Sequence, residues 1–223
     1  MPLLSDLKHQ ATSLLRDARQ WFRQHWRGFT ALQLVLLAVI WLGIHPHDQE
    51  WLTALHRCTW GQSPKGVELT AGWLSKYGDF PTFNLALTLL LWLSGLALRR
   101  PRLQRLAMMS LLAAALAGTT TILVRSALGR TRPQAEVADG FYGPHWSTNF
   151  QSCPSGHTTT AFAGGLSLLI AAPEIGVPAT AIAASVGWSR MFLKRHYPAD
   201  VATGIWVALW FAVPLAGAAR QRR

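Results

Sequence analysis

Apolar residues in this chain gather into six runs, at 30–44, 81–98, 106–124, 158–172, 177–188 and 201–219, separated by shorter polar stretches. Continuous runs of this kind predict buried or membrane-spanning helices, whereas half-buried strands would alternate polar and apolar positions. Several fall short of the roughly 20 residues that cross a bilayer, so the helices are expected to extend into their polar flanks or to sit where the membrane is thin. The fifth run is built from small residues, Ala179, Ala181, Ala183, Ala184, Ser185 and Gly187, which suits a helix packed among others, with Pro178 in its first turn. Residues 1–28 intersperse Leu3, Leu4, Leu7, Leu14, Leu15, Trp21, Phe22 and Trp26 with basic side chains. That pattern predicts an amphipathic helix on the membrane surface, with a loose basic tail as the alternative. The basic part is too long for a cleaved signal peptide, and no small-x-small site follows Ile44. Segment 45–79 is polar with apolar punctuation from Trp51, Leu52, Leu55, Trp60 and Leu74, which predicts short helices over the outer surface, either a lip around a lipid portal or plain covering. With no internal repeat, the expected organisation is an N-terminal segment, 1–28, and an all-α, polytopic membrane domain of about six helices, 29–223.

Composition agrees with a membrane protein. Half of the 223 residues are apolar and only 14% are charged, against about 25% in soluble domains. Eleven tryptophans stand against three tyrosines, a surplus expected where rings sit at both headgroup layers. With an inside N-terminus, the inner segments hold twelve Lys and Arg and the outer segments nine. Three of those nine, Arg125, Arg132 and Arg190, belong to the site described next, so the bias puts both termini in the cytoplasm. The formal charge of +11 then reads as inner-leaflet anchoring plus an anion site, and nucleic acid is not an expected partner.

Three segments carry chemistry: Arg125-x6-Arg132-Pro133, Pro154-Ser155-Gly156-His157, and Ser189-Arg190-x5-His196-x3-Asp200. On the predicted topology all three fall at the outer ends of the third to sixth helices. Planar guanidiniums meet phosphoryl oxygens with paired, charge-assisted hydrogen bonds, so three arginines suffice to hold one phosphate. Ser155 and Gly156 precede an apolar run, and a helix starting there aims free amides at an anion. Pro198 puts Asp200 in the first turn of the next helix, from where it is expected to accept a hydrogen bond from one nitrogen of His196. The other nitrogen is left as a nucleophile toward phosphorus, and His157 takes the role of general acid.

These segments resemble the signature of the type 2 phosphatidate phosphatase superfamily, written Lys-x6-Arg-Pro, Pro-Ser-Gly-His and Ser-Arg-x5-His-x3-Asp. The second and third match at every defined position, and the resemblance covers Arg125 to Asp200. It implies the integral-membrane branch, a phosphohistidine formed on His196 and oriented by Asp200, His157 as the acid, and Arg125, Arg132, Ser155, Gly156 and Arg190 as phosphate ligands. Arg125 departs from the pattern, keeping the charge of the family's lysine on a larger, forked group.

The expected function is therefore a lipid phosphatase or diphosphatase of the bacterial inner membrane, with its site on the periplasmic side. Its substrate would be a polyprenyl diphosphate, phosphatidate, phosphatidylglycerol phosphate or lipid A-type lipid. The alternatives are a phosphotransferase using the same site and a non-catalytic lipid binder or transporter. No metal or cofactor is expected, because none of the ten acidic residues clusters with histidine at ligand spacing beyond His196 and Asp200. No obligatory protein partner is evident. Cys58 and Cys153 both fall on the outer side and are expected as free thiols, a disulfide being the alternative.

Overall fold

The computed structural model describes residues 2–60 and 65–221, and among these the regular structure is helical apart from one isolated bridge, with an irregular loop from 129 to 155. Helix α1, Pro2–Ala38, runs on through a π-helical turn, Val39–Ile44, and a 3-10 turn, His45–His47. Two short helices follow, α2, Asp48–Trp60, and α3, Lys65–Tyr77, as expected for the 45–79 segment. After a π-turn, Phe80–Asn84, come α4, Leu85–Ala97, and α5, Pro101–Leu128. The bundle is completed by α6, Gly156–Ala171, α7, Pro173–Phe192, and α8, Pro198–Gln221.

Each of the six apolar runs falls on one of these helical stretches, two of them overrunning it by a single residue, Leu98 and Ala172, and most of the helices do extend into their polar flanks. Two boundaries moved. Nothing between residues 20 and 38 stops a helix, since the stretch has no proline, so α1 passes through residue 28 without a break. Leu14 and Ala18 of the expected surface segment are buried, and Arg105 on α5 lies 3.5 Å from Asp17. Helix α7 starts at Pro173, which takes the N1 position, so Pro178 sits inside the helix and not in its first turn.

Helix α6 is central, packing against α5, α7 and α8. Small side chains make that possible: Ala113 and Ala117 on α5, Ala161 and Ala163 on α6, Ala179 and Ala183 on α7, and Ala208 and Ala216 on α8 are all buried. In a bilayer, where apolar surface gains nothing by leaving lipid, such close backbone approach is what holds helices together. Among the described residues four helical stretches are long and apolar enough to cross a membrane: Asp6–Arg57, Phe80–Ala97, Pro101–Leu128 and Pro198–Arg220. The other two differ for a physical reason. Helix α6 has 16 residues and carries Thr158, Thr159, Thr160 and Ser167, and α7 carries Glu174, Ser185, Ser189 and Arg190. Helix α6 is walled in by its neighbours and need not be apolar all round, whereas α7 buries one face, with Ala179, Ala183 and Val186, and leaves Val177 and Ile182 exposed on the other.

Candidate active site

One end of the bundle collects the C-termini of α5 and α7 and the N-termini of α6 and α8, and with them all three motif segments. Arg125 stands in the last turn of α5, which is capped by Gly129 at φ +62°. A Cβ there would meet the carbonyl oxygen of Gly143 at 1.8 Å, so both the left-handed backbone and the close approach require glycine. The chain then folds back on itself. Arg130 bridges to Phe141, the Arg132 amide donates to the Asn149 carbonyl at 2.8 Å, and the Ser152 amide donates to the Arg130 carbonyl at 3.0 Å.

Ser155 behaves otherwise than expected of a phosphate ligand. It is fully buried, its amide donates to the carbonyl of Asp200 at 3.1 Å, and its hydroxyl accepts from Thr158 Oγ1 at 2.9 Å. It ties α6 to α8. The amides offered to an anion are those of the first turn, Gly156, His157 and Thr158, which have no acceptor within a helix. A Cβ on Gly156 would come within 3.2 Å of Arg125 Nη1, so the glycine lets that guanidinium reach the turn.

His196 and Asp200 also depart from the expected pairing. The Nδ1 atom lies 3.9 Å from Asp200 Oδ2, too far for a hydrogen bond, and instead donates to the Ser152 carbonyl at 2.7 Å. A carbonyl can only accept, so this contact requires the proton on Nδ1 and leaves Nε2 with a lone pair. Asp200 acts one step back. Its Oδ2 accepts from Ser152 Oγ at 2.5 Å and from the Tyr197 amide at 2.8 Å, thereby holding the residues that flank the imidazole. Burial, and then the guanidiniums of Arg190 and Arg132, hold His196 well below the ordinary histidine value of 6.5, so the ring is neutral at physiological pH.

Arg125, Arg132 and Arg190 are largely buried together with few carboxylates to balance them. Arg132 is held below the usual arginine range by burial and by the charges of Arg195 and Arg125. The Nε atoms of Arg125, Arg132 and Arg190 are buried and bonded to no protein atom, while Arg190 Nη1 donates to Ser75 Oγ on α3. Arg125, Gly156 and His157 line the polar end of a cavity of about 470 Å³, whose walls are Phe80, Pro81, Ala114, Ala115, Gly118 and Ile122. A phosphate-sized anion with an apolar chain fits such a lining.

Sequence reasoning missed Arg130, Asp48, Ser152 and Asp79. Arg130 is wholly buried between Asp200 and Asp48, and Asp79 lines the cavity beside His157. The available signal was scarcity: with ten acidic residues in the chain, one at the foot of an apolar helix stands out. Cys153 is a buried free thiol that burial and the nearby Asp200 push up, so it is not a nucleophile; the Cys58 side chain lies outside the described residues. Among the described residues no three His, Cys, Asp or Glu side chains gather as a metal site.

The chain is 35% identical over 101 residues to lipid A 1-phosphatases of Rhizobium johnstonii and Rhizobium etli, a match covering 43% of this chain. It spans only 41% and 43% of the length of those relatives. The fold is similar to that of the transmembrane PAP2-type phosphatidylglycerolphosphate phosphatase of Bacillus subtilis, at a TM-score of 0.60 and 19% identity, over 88% of this chain and 96% of that one. Residues 106–222, which carry every motif above, match the PAP2 superfamily over more than half of the chain, and the chain belongs to that superfamily.

Proposed function

We propose that this protein is a lipid phosphate phosphatase that works through a phosphohistidine on His196. Its six helices would span the inner membrane with both termini inside and the site at the outer face. The observation that carries the reading is that Arg125 and His157 line one end of an apolar cavity, while the charges of Arg132 and Arg190 act on both His157 and the buried, neutral imidazole of His196. In the proposed reaction Arg125, Arg132, Arg190 and the first-turn amides of α6 hold the phosphoryl oxygens. Nε2 of His196 attacks phosphorus, the bond from phosphorus to the lipid oxygen breaks, and that oxygen takes a proton from His157. Water, giving its proton to His157, then opens the phosphohistidine, and inorganic phosphate leaves.

His157 is faced by Arg190, Arg132 and Arg125, with Asp79 as an opposing carboxylate. Charge from the bound phosphate offsets the guanidiniums, so the imidazolium form is favoured chiefly in the substrate complex. The catalytic set supports turnover over a purely binding role, since binding needs the arginines but not a histidine with its tautomer fixed. Among substrates, similarity to lipid A 1-phosphatases favours a phosphorylated glycolipid of the lipid A type. The test is phosphate release from purified protein against lipid A, phosphatidate, phosphatidylglycerol phosphate and polyprenyl diphosphates, with acid-labile, base-stable phosphate trapped on the chain. Release from none of these lipids, or trapped phosphate that persists in His196→Gln, would refute the reading.

A further inference from the structure

Among the described residues Arg130 is the largest of the fully buried side chains, and the proposed reaction gives it no contact with substrate. Its Nη1 donates to Asp200 Oδ1 at 2.8 Å and its Nη2 to Asp48 Oδ2 at 2.8 Å, with all three side chains at most 3% exposed. The rings of Tyr197, Phe141 and Trp41 surround the guanidinium at 4.4, 5.6 and 5.8 Å from their centroids. Asp48 opens α2, and its other oxygen accepts from the Ala199 amide at 2.8 Å, next to Asp200 in the chain. A charge taken this far from water persists only where partners meet it on each side, and here they do.

The contacts form a continuous row. Asp48 holds Arg130, Arg130 holds Asp200, Asp200 holds Ser152 Oγ and the Tyr197 amide, and the Ser152 carbonyl holds Nδ1 of His196. Without its cation, a wholly buried Asp200 gains by taking up a proton and then accepts less strongly from Ser152. The imidazole loses both its fixed direction and the negative charge behind it, which matters most when attack on phosphorus makes the ring cationic. We propose that Arg130 and Asp48 are positioning residues for the nucleophile: they keep Asp200 an aimed carboxylate and make the outer helix α2 part of the catalytic frame. This inference rests on His196 being the nucleophile.

The test is rapid-quench measurement of phosphohistidine formation in full-length Arg130→Met, Arg130→Lys and Asp48→Asn, in detergent or nanodiscs. Arg130→Met should form phosphoenzyme at least tenfold more slowly than wild type. The amplitude per folded chain and the affinity for vanadate should stay within twofold. Arg130→Lys, which keeps the charge, should recover part of that rate, and Asp48→Asn should slow it several-fold. A merely structural role would lower amplitude and leave the rate constant of the surviving enzyme alone, and that result would overturn the proposal, as would a wild-type rate in Arg130→Met. Should Arg130→Met fail to fold, Asp48→Asn decides: a wild-type rate there overturns the inference. Absence of phosphohistidine in the wild type would instead refute the underlying mechanism, which separates the two failures.

Discussion

Replacing Ala115 with phenylalanine puts a ring into the apolar cavity without touching any group that meets phosphate. Ala115 lines that cavity from α5, the helix whose last turn carries Arg125. Between Ala114 and Arg125, both of which line the cavity, the helix rises about 16 Å at 1.5 Å per residue, which is the depth available to a lipid chain. A phenyl group near the deep end displaces about four methylenes of that chain. At about 0.8 kcal/mol per buried CH2 this forfeits about 3 kcal/mol of binding, or about two-hundredfold in kcat/KM for a long-chain lipid phosphate. An aryl phosphate, with no chain to seat, should keep its rate within about twofold. The assay is phosphate release from the two substrates by wild type and variant under identical detergent conditions, with thermal unfolding as the check on folding. Equal loss on both substrates would mean that the ring disturbed the site itself. Unchanged turnover of the lipid would mean that the chain lies elsewhere, and either result refutes this use of the cavity.

His157→Ala should cost about a hundredfold or more with a lipid alkoxide leaving group and much less with a phenolate, which needs no protonation; equal losses measured on both would remove His157 as the acid. Activity should survive excess chelator and be blocked by vanadate, which takes up the five-coordinate geometry of phosphoryl transfer; loss of turnover on chelation in a phosphate-release assay would sink the metal-free mechanism. Because His196 is held well below 6.5 in the fold, the unfolded chain binds a proton below that pH which the folded chain refuses. Stability should therefore fall as pH drops below 6.5, by about 1.4 kcal/mol per unit from this group until the folded ring itself titrates. His196→Gln lacks that contribution, so plots of unfolding free energy against pH should be shallower for the variant between pH 6.5 and 5.5, and parallel slopes would contradict a neutral, buried ring.

Membership of the candidate site was legible in the sequence where the chemistry is local. Arg125, Arg132, Gly156, His157, Arg190, His196 and Asp200 announce themselves by residue type and spacing, and helices long enough to bring them to one face follow from apolar runs. What was hidden depends on contacts across the chain. Asp48 and Arg130 are 82 residues apart, and no periodicity says that the first turn of α2 lands on the loop after α5. The Ser152 carbonyl is a backbone group, invisible to any reading of side chains, yet it and not Asp200 fixes the tautomer of His196. Four-residue spacing suggested a direct histidine to aspartate bond, but Asp200 has its oxygens taken by Arg130, Ser152 and the Tyr197 amide. A carboxylate so fully engaged cannot swing to the imidazole, so its influence must travel through Ser152 and through its charge at 3.9 Å. That makes the aim of the proposed nucleophile a property of the loop from Gly129 to Ser155 as much as of the motif that carries it. Substitutions there, far from any phosphate oxygen, should therefore slow the attack step while leaving the affinity for phosphate largely intact.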